Sequence, residues 1–298
     1  MKKIGMFFIM LLFLANGLVY AFDWKTAHDK ADTLSLEQAM SESKVSGQSV
    51  ESLYILGLVY LNRYQHIPAK DIFLKIVARD LNSFEAKWGV AECLRREHNY
   101  DESVPMLEAI IKSNPSFSPA YITLAYIRYI QQKFNASIVL TGKVINHLQG
   151  NVDKANFLRA HGLYAAAKGM IAHYGGPISK AINGAGVWKH LGIIQELAPN
   201  SPVVNFALGS YYMLIPVAFN QDLDKAKEYL EKTIAEDPLF PDPYVRLAQI
   251  YQKRGDDQGY EENIAKALAL DPKNELALDI KTGTCKFICL SPKEKKDE

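Results

Sequence analysis

The stretch Tyr244-Val-Arg-Leu247-Ala248-Gln-Ile-Tyr251, followed by Ala267 and Asp271-Pro272, decides the architecture. Its apolar residues fall three and four apart, which is the spacing of a helix with one apolar face. A second run of the same kind leads to the proline. The cadence recurs upstream at intervals of thirty-four residues. Leu56-Gly57 with Tyr60, Ala69 and Phe73 gives one unit. Trp88-Gly-Val-Ala91 with Leu94, Leu107 and Asn114-Pro115 gives the next, and Tyr121-Ile-Thr-Leu124-Ala125 begins a third. Leu208-Gly209 and Tyr212 lead in turn to Ala226, Tyr229-Leu230 and Asp237-Pro238.

Each unit is expected to form two short antiparallel helices. Gly57, Ala91, Ala125, Gly209 and Ala248 are small where the first helix must lie close to the second. The residue before each (Leu56, Val90, Leu124, Leu208, Leu247) fills the space beside that contact. Pro115, Pro199, Pro238 and Pro272 end second helices, because proline lacks an amide hydrogen and disfavours a helical residue before it. Helices this short are marginal alone, so the stability must come from stacking unit on unit.

This pattern resembles the tetratricopeptide repeat (TPR) family, most clearly over 241–274, well over 50–117, and in degenerate form over 118–151 and 202–240. The resemblance implies an all-α, right-handed superhelix of antiparallel helix pairs whose concave face holds partners. It also implies the groove positions: Tyr54, Leu58 and Leu61; Trp88, Glu92, Arg95 and Arg96; Ile122, Tyr126 and Tyr129; Phe206, Met213 and Leu214. That face is aromatic and apolar with one basic edge. The Lys and Asn positions of the family's clamp for acidic peptide ends are not matched, so a protein segment of another kind or an apolar ligand is expected, with Trp88, Tyr126 and Tyr129 as anchors. Aromatic residues at helical spacing also serve as core, and that alternative stands beside the groove. The segment 208–230 is similar to the T component of TRAP transporters, although Asn220 and Gln221 replace the paired glycines expected there. That likeness implies an accessory subunit of a solute transport system.

The organisation around the repeats is expected as follows. Lys2-Lys3 and the uncharged run Ile4–Phe22, with small or branched residues at Val19-Tyr20-Ala21, read as a signal peptide over 1–21. An uncleaved anchor is the competing reading, and the only route to a membrane. The expected location is therefore the periplasm or the exterior. Residues 22–49 form a leading helical segment, 50–151 the N-terminal TPR-like units, 202–283 the C-terminal units and cap, and 284–298 a tail. Residues 152–201 form an irregular helical unit. Its five glycines between Gly169 and Gly186 suggest a loop over the groove, or a turn between mismatched repeats.

Composition bounds the function. The 298 residues are 48% hydrophobic and 22% charged, as in a globular chain. Lys plus Arg is 34 against 33 Asp plus Glu, and cleavage after Ala21 would leave 32 basic. That balance gives no pull toward nucleic acid. No cofactor, metal or catalytic site is expected. His147, His161, His173 and His190 lack metal-ligand spacing. Ser41-Glu-Ser-Lys44 and Lys281-Thr282-Gly283 match penicillin-binding motifs, but the second must lie on a strand, which helical repeats do not provide. Cys285 and Cys289 are spaced for a local disulfide in an oxidising compartment, and Cys93 reads as buried filler.

Overall fold

The structure, a computed structural model, describes residues 22–287 and 290, all helix and connection with no strand among them. The leader (1–21), Cys289 and 291–298 lie outside the described residues.

Helices α1 (Trp24–Ala31) and α2 (Leu36–Val45) lead the chain. Three pairs follow: α3 (Val50–Asn62) with α4 (His66–Arg79), α5 (Phe84–Arg96) with α6 (Tyr100–Ser113), and α7 (Ser118–Ile130) with α8 (Phe134–His147). A longer pair, α9 (Lys154–Tyr174) and α10 (Pro177–Leu197), interrupts the cadence. Two further pairs, α11 (Pro202–Leu214) with α12 (Leu223–Glu236) and α13 (Asp242–Arg254) with α14 (Asp257–Leu270), precede the closing α15 (Glu275–Lys281).

The small positions do what their size suggests. A Cβ on Gly57 would stand 2.6 Å from the ring of Phe73, and one on Gly89 2.5 Å from the same ring. Phe73 of α4 is therefore wedged between the backbones of α3 and α5 and is fully buried. The Cβ of a residue replacing Gly209 would come within 2.8 Å of Leu230. Ala91, Ala125 and Ala248 are likewise fully buried.

Turns repeat as strictly as helices. Tyr64, His98 and Gln132, each thirty-four residues after the last, all have left-handed backbone (φ 58°, 61° and 60°), as does Gly255 (φ 76°). At each, the residue's amide and the next one's bond back to the end of the preceding helix, as in His98 N to Arg95 O (3.0 Å) and Asn99 N to Leu94 O (2.9 Å). Glycine takes this conformation most easily. Tyrosine and histidine there need a reason, and the site supplies one.

The expected loop over 169–186 is not what the chain does. Gly162, Gly169, Gly184 and Gly186 lie inside α9 and α10, and the break is confined to Gly175-Gly176. Glycine within a helix costs roughly 1 kcal/mol relative to alanine. Here the tight pairing of α9 with α10 offsets it, and the missing side chains leave room on the inner side. The cap expected to end the array is α15, and Thr282 follows it on a helix end rather than a strand.

Candidate functional site

The inner helices and the α9–α10 pair surround a hollow of about 1600 Å³. One wall comes from α3, α5 and α7, with Leu58, Leu61, Trp88, Ile122, Tyr126 and Tyr129. The wall from α9 and α10 is rich in small residues, among them Gly162, Ala166, Gly169, Ala181 and Gly184, with Arg159, Met170 and Lys180 between them. A Cβ on Gly162 or Gly184 would meet nothing within 4 Å, so these glycines face open space. Helix α11 adds Val203, Phe206 and Leu214.

Most expected groove positions face this hollow: Leu58, Leu61, Trp88, Arg95, Arg96, Tyr126, Tyr129 and Phe206. Tyr54 and Met213 do not, and they are core instead. Helix α1 covers Tyr54, whose hydroxyl is hydrogen-bonded to His28 Nε2 at 2.9 Å. Met213 packs with Ala226, Leu230 and Leu247. Trp88 lies between the two states. It lines the hollow but is only 5% exposed, because His28 lies 5.3 Å from its ring and its Nε1 donates to Thr123 Oγ1 at 3.0 Å.

The basic edge is partly neutralised within the wall, two guanidinium groups sharing one carboxylate. Arg95 Nη2 donates to Glu92 Oε1 at 2.6 Å and Arg96 Nε to the same oxygen at 2.9 Å. Burial opposes the Glu92 charge, yet the two guanidinium groups hold its carboxyl well below the usual range. Arg95 also lies over Tyr126, 4.6 Å from the ring centre. At the other end Arg246 is buried, with Nη1 donating to Gln249 Oε1 at 2.9 Å. Its Nε has no hydrogen-bond partner. Asp242, which accepts from Asn274 Nδ2 at 2.8 Å, has its pKa raised by burial.

The two ends of the array meet over this polar band. Tyr64 donates to Asp237 Oδ2 at 2.9 Å, and His98 Nε2 lies 3.0 Å from Asp271 Oδ1, both across 173 residues. Asp237 and Asp271 are the Asp-Pro positions of successive repeats, so the seam keeps the period of the array. His98 Nδ1 also reaches Glu275 Oε1 at 2.7 Å, and Tyr100 bonds to the same carboxylate. These side chains project from the left-handed turns, which explains the absence of glycine there. The sequence reading missed them. The signal was a tyrosine and a histidine at a glycine-favouring turn, in phase with two aspartates.

The C-terminal turn enters the hollow as well. Phe287 is buried and stacks on Tyr129 with ring centres 5.7 Å apart. Asp279 holds that turn by accepting from Thr284 Oγ1, Lys286 N and Phe287 N. Cys285 is in a disulfide, and Cys93 is free and buried.

The histidines of the central third do not converge on a metal geometry. His161 and His190 face each other with Nδ1 atoms 2.9 Å apart, and burial lowers both pKa values, that of His161 to about 4. No group of three possible ligands occurs among the described residues.

Residues 241–274 match the family model of the tetratricopeptide repeat. The whole array has the TPR fold. It is similar to a TPR protein from Parabacteroides merdae, at 12% identity and a TM-score of 0.53, over 86% of this chain and 95% of that one. It is also similar to the human IFIT1 dimer with m7Gppp-AAAA, at 15% identity and a TM-score of 0.55, over 86% of this chain and 65% of that one. At such identities the likeness is one of fold. No curated protein sequence matches the chain. The TPR superhelix is a scaffold suited to protein interaction, and here its concave side is a deep, partly open hollow.

Proposed function

We propose that this exported TPR protein is a non-enzymatic binding protein that holds an apolar or amphiphilic ligand in its hollow. The observation that carries the reading is the pairing of an apolar wall with a wall of small residues around about 1600 Å³, closed by the His98–Asp271 seam. Small-molecule pockets are mostly apolar with a few placed polar groups, and this hollow has that character. The unpartnered Nε of Arg246 suits an acceptor at the ligand's polar end, a carboxylate or carbonyl oxygen. The seam favours a compact ligand over a long protein segment, because a segment would have to thread the ring. Export rests on the leader, with the mature chain starting at Phe22.

The test is mass spectrometry of natively purified protein, with extraction of whatever it carries. An apolar or amphiphilic adduct lost in a Gly162→Trp variant supports the reading. A folded wild type that carries no adduct and binds no apolar dye overturns it.

The second reading is an accessory subunit of a solute transport system, favoured by the same apolar hollow. It calls for co-purification with a membrane permease or a solute-binding partner.

A further inference from the structure

Helix α10 lacks the partners that its composition requires. Of its twenty-one residues only Asn183, Leu191 and Ile194 are buried. Its outward side, with the end of α9, exposes Tyr174 (57%), Ile178 (78%) and Ile182 (67%), while Pro177, Ala181 and Gly184 line the hollow from the same helix. A helix with apolar residues on its outward as well as its inward side expects cover on both. A contiguous exposed apolar patch marks an interaction surface.

Charge indicates the kind of cover. In a chain with 34 basic and 33 acidic residues, the α9–α10 hairpin (154–197) carries Lys154, Arg159, Lys168, Lys180 and Lys189 against a single acid, Glu196. Lys286 joins it at the tip, where its carbonyl accepts from the Tyr174 hydroxyl at 2.8 Å. Exposed isoleucines beside a tyrosine and lysines, with the hairpin's one carboxylate, Glu196, at the far end of α10, are the chemistry of an anionic lipid surface: aliphatic groups enter the acyl boundary, tyrosine sits at headgroup level and lysines meet the phosphates. A two-fold contact with a second copy would set two net-basic hairpins against each other, which like-charge repulsion disfavours.

We infer that the α9–α10 hairpin docks on an anionic bilayer through Tyr174, Ile178 and Ile182. This goes beyond the expectation that only the leader meets a membrane. It holds whatever the hollow carries. It is a peripheral contact, since no described helix is long and apolar enough to cross a membrane.

The test is hydrogen–deuterium exchange of the full chain with vesicles of phosphatidylglycerol and phosphatidylcholine, or of phosphatidylcholine alone. This local readout does not depend on any contact made by the leader. Exchange over residues 171–186 is expected to slow several-fold with the anionic vesicles only. The double variant Ile178→Asp, Ile182→Asp should lose that protection and weaken partitioning by about tenfold or more. Both positions are exposed, so the variant should keep the wild-type circular dichroism. Unchanged exchange on anionic vesicles overturns the inference. So does protection that survives in the double variant, or protection that grows with protein concentration without lipid, which would assign the patch to a second copy.

Discussion

His98 and Asp271, 173 residues apart, meet at 3.0 Å and join the second repeat to the end of α14, turning an open superhelix into a ring. Partial burial of the imidazole works against its charge. The hydrogen bonds to Asp271 and Glu275 outweigh that and push its pKa from 6.5 up to about 9. A pKa raised by folding means that the protonated histidine stabilises the folded state. The contribution is fully present below about pH 6.5 and lost as pH rises through about 9. The thermal midpoint of the wild type should therefore fall between these limits more steeply than that of His98→Gln. Equal slopes would remove the seam's ionic character.

Glu92 should prove more important to stability than its neighbours in the hollow. It serves two guanidinium groups and accepts from Thr123 Oγ1 at 3.0 Å, with a side chain only 9% exposed. Removing one partner of a buried ionic cluster leaves uncompensated charge, which costs roughly 3–5 kcal/mol. Glu92→Gln is expected to lose stability of that order in urea unfolding. A loss below about 1 kcal/mol, the range of an exposed pair, would show that the cluster is solvated.

The repeat phase made one wall of the hollow legible. Once Gly57, Ala91 and Ala125 are fixed against the second helices, the adjoining faces carrying Leu58, Trp88, Tyr126 and Tyr129 follow by helical geometry. Tyr54 failed because its burial depends on α1, a helix outside the repeat. The wall from α9 and α10 could not be phased, since helices with small and apolar residues on every side have no amphipathic period to read. The seam was hidden for another reason: whether Tyr64 reaches Asp237 depends on the accumulated curvature of five units, which no local pattern encodes.

Asp279 should control the C-terminal turn. Its carboxylate accepts three hydrogen bonds from residues 284–287 and is itself 5% exposed. In Asp279→Ala these donors lose their acceptor, and Phe287 is expected to leave Tyr129. Lys286 would then become a fast site for trypsin, read by the rate of C-terminal clipping against wild type. Clipping at the wild-type rate would mean that the Phe287–Tyr129 stack, the Tyr174–Lys286 hydrogen bond and the Cys285 disulfide hold the turn without Asp279.

Gly162 separates the fold from the hollow. It lies within α9, and a Cβ there would meet nothing within 4 Å. Gly162→Ala should stabilise the protein by about 0.5–1 kcal/mol, because alanine favours the helix and no neighbour has to move. Gly162→Trp should leave the helical content unchanged while placing an indole in the hollow, so affinity for an apolar dye should fall. Gly57→Ala provides the contrast: its Cβ would stand 2.6 Å from Phe73, and it should destabilise the chain through overpacking by about 1–3 kcal/mol. If the tryptophan at 162 binds dye as wild type does, apolar ligands enter elsewhere.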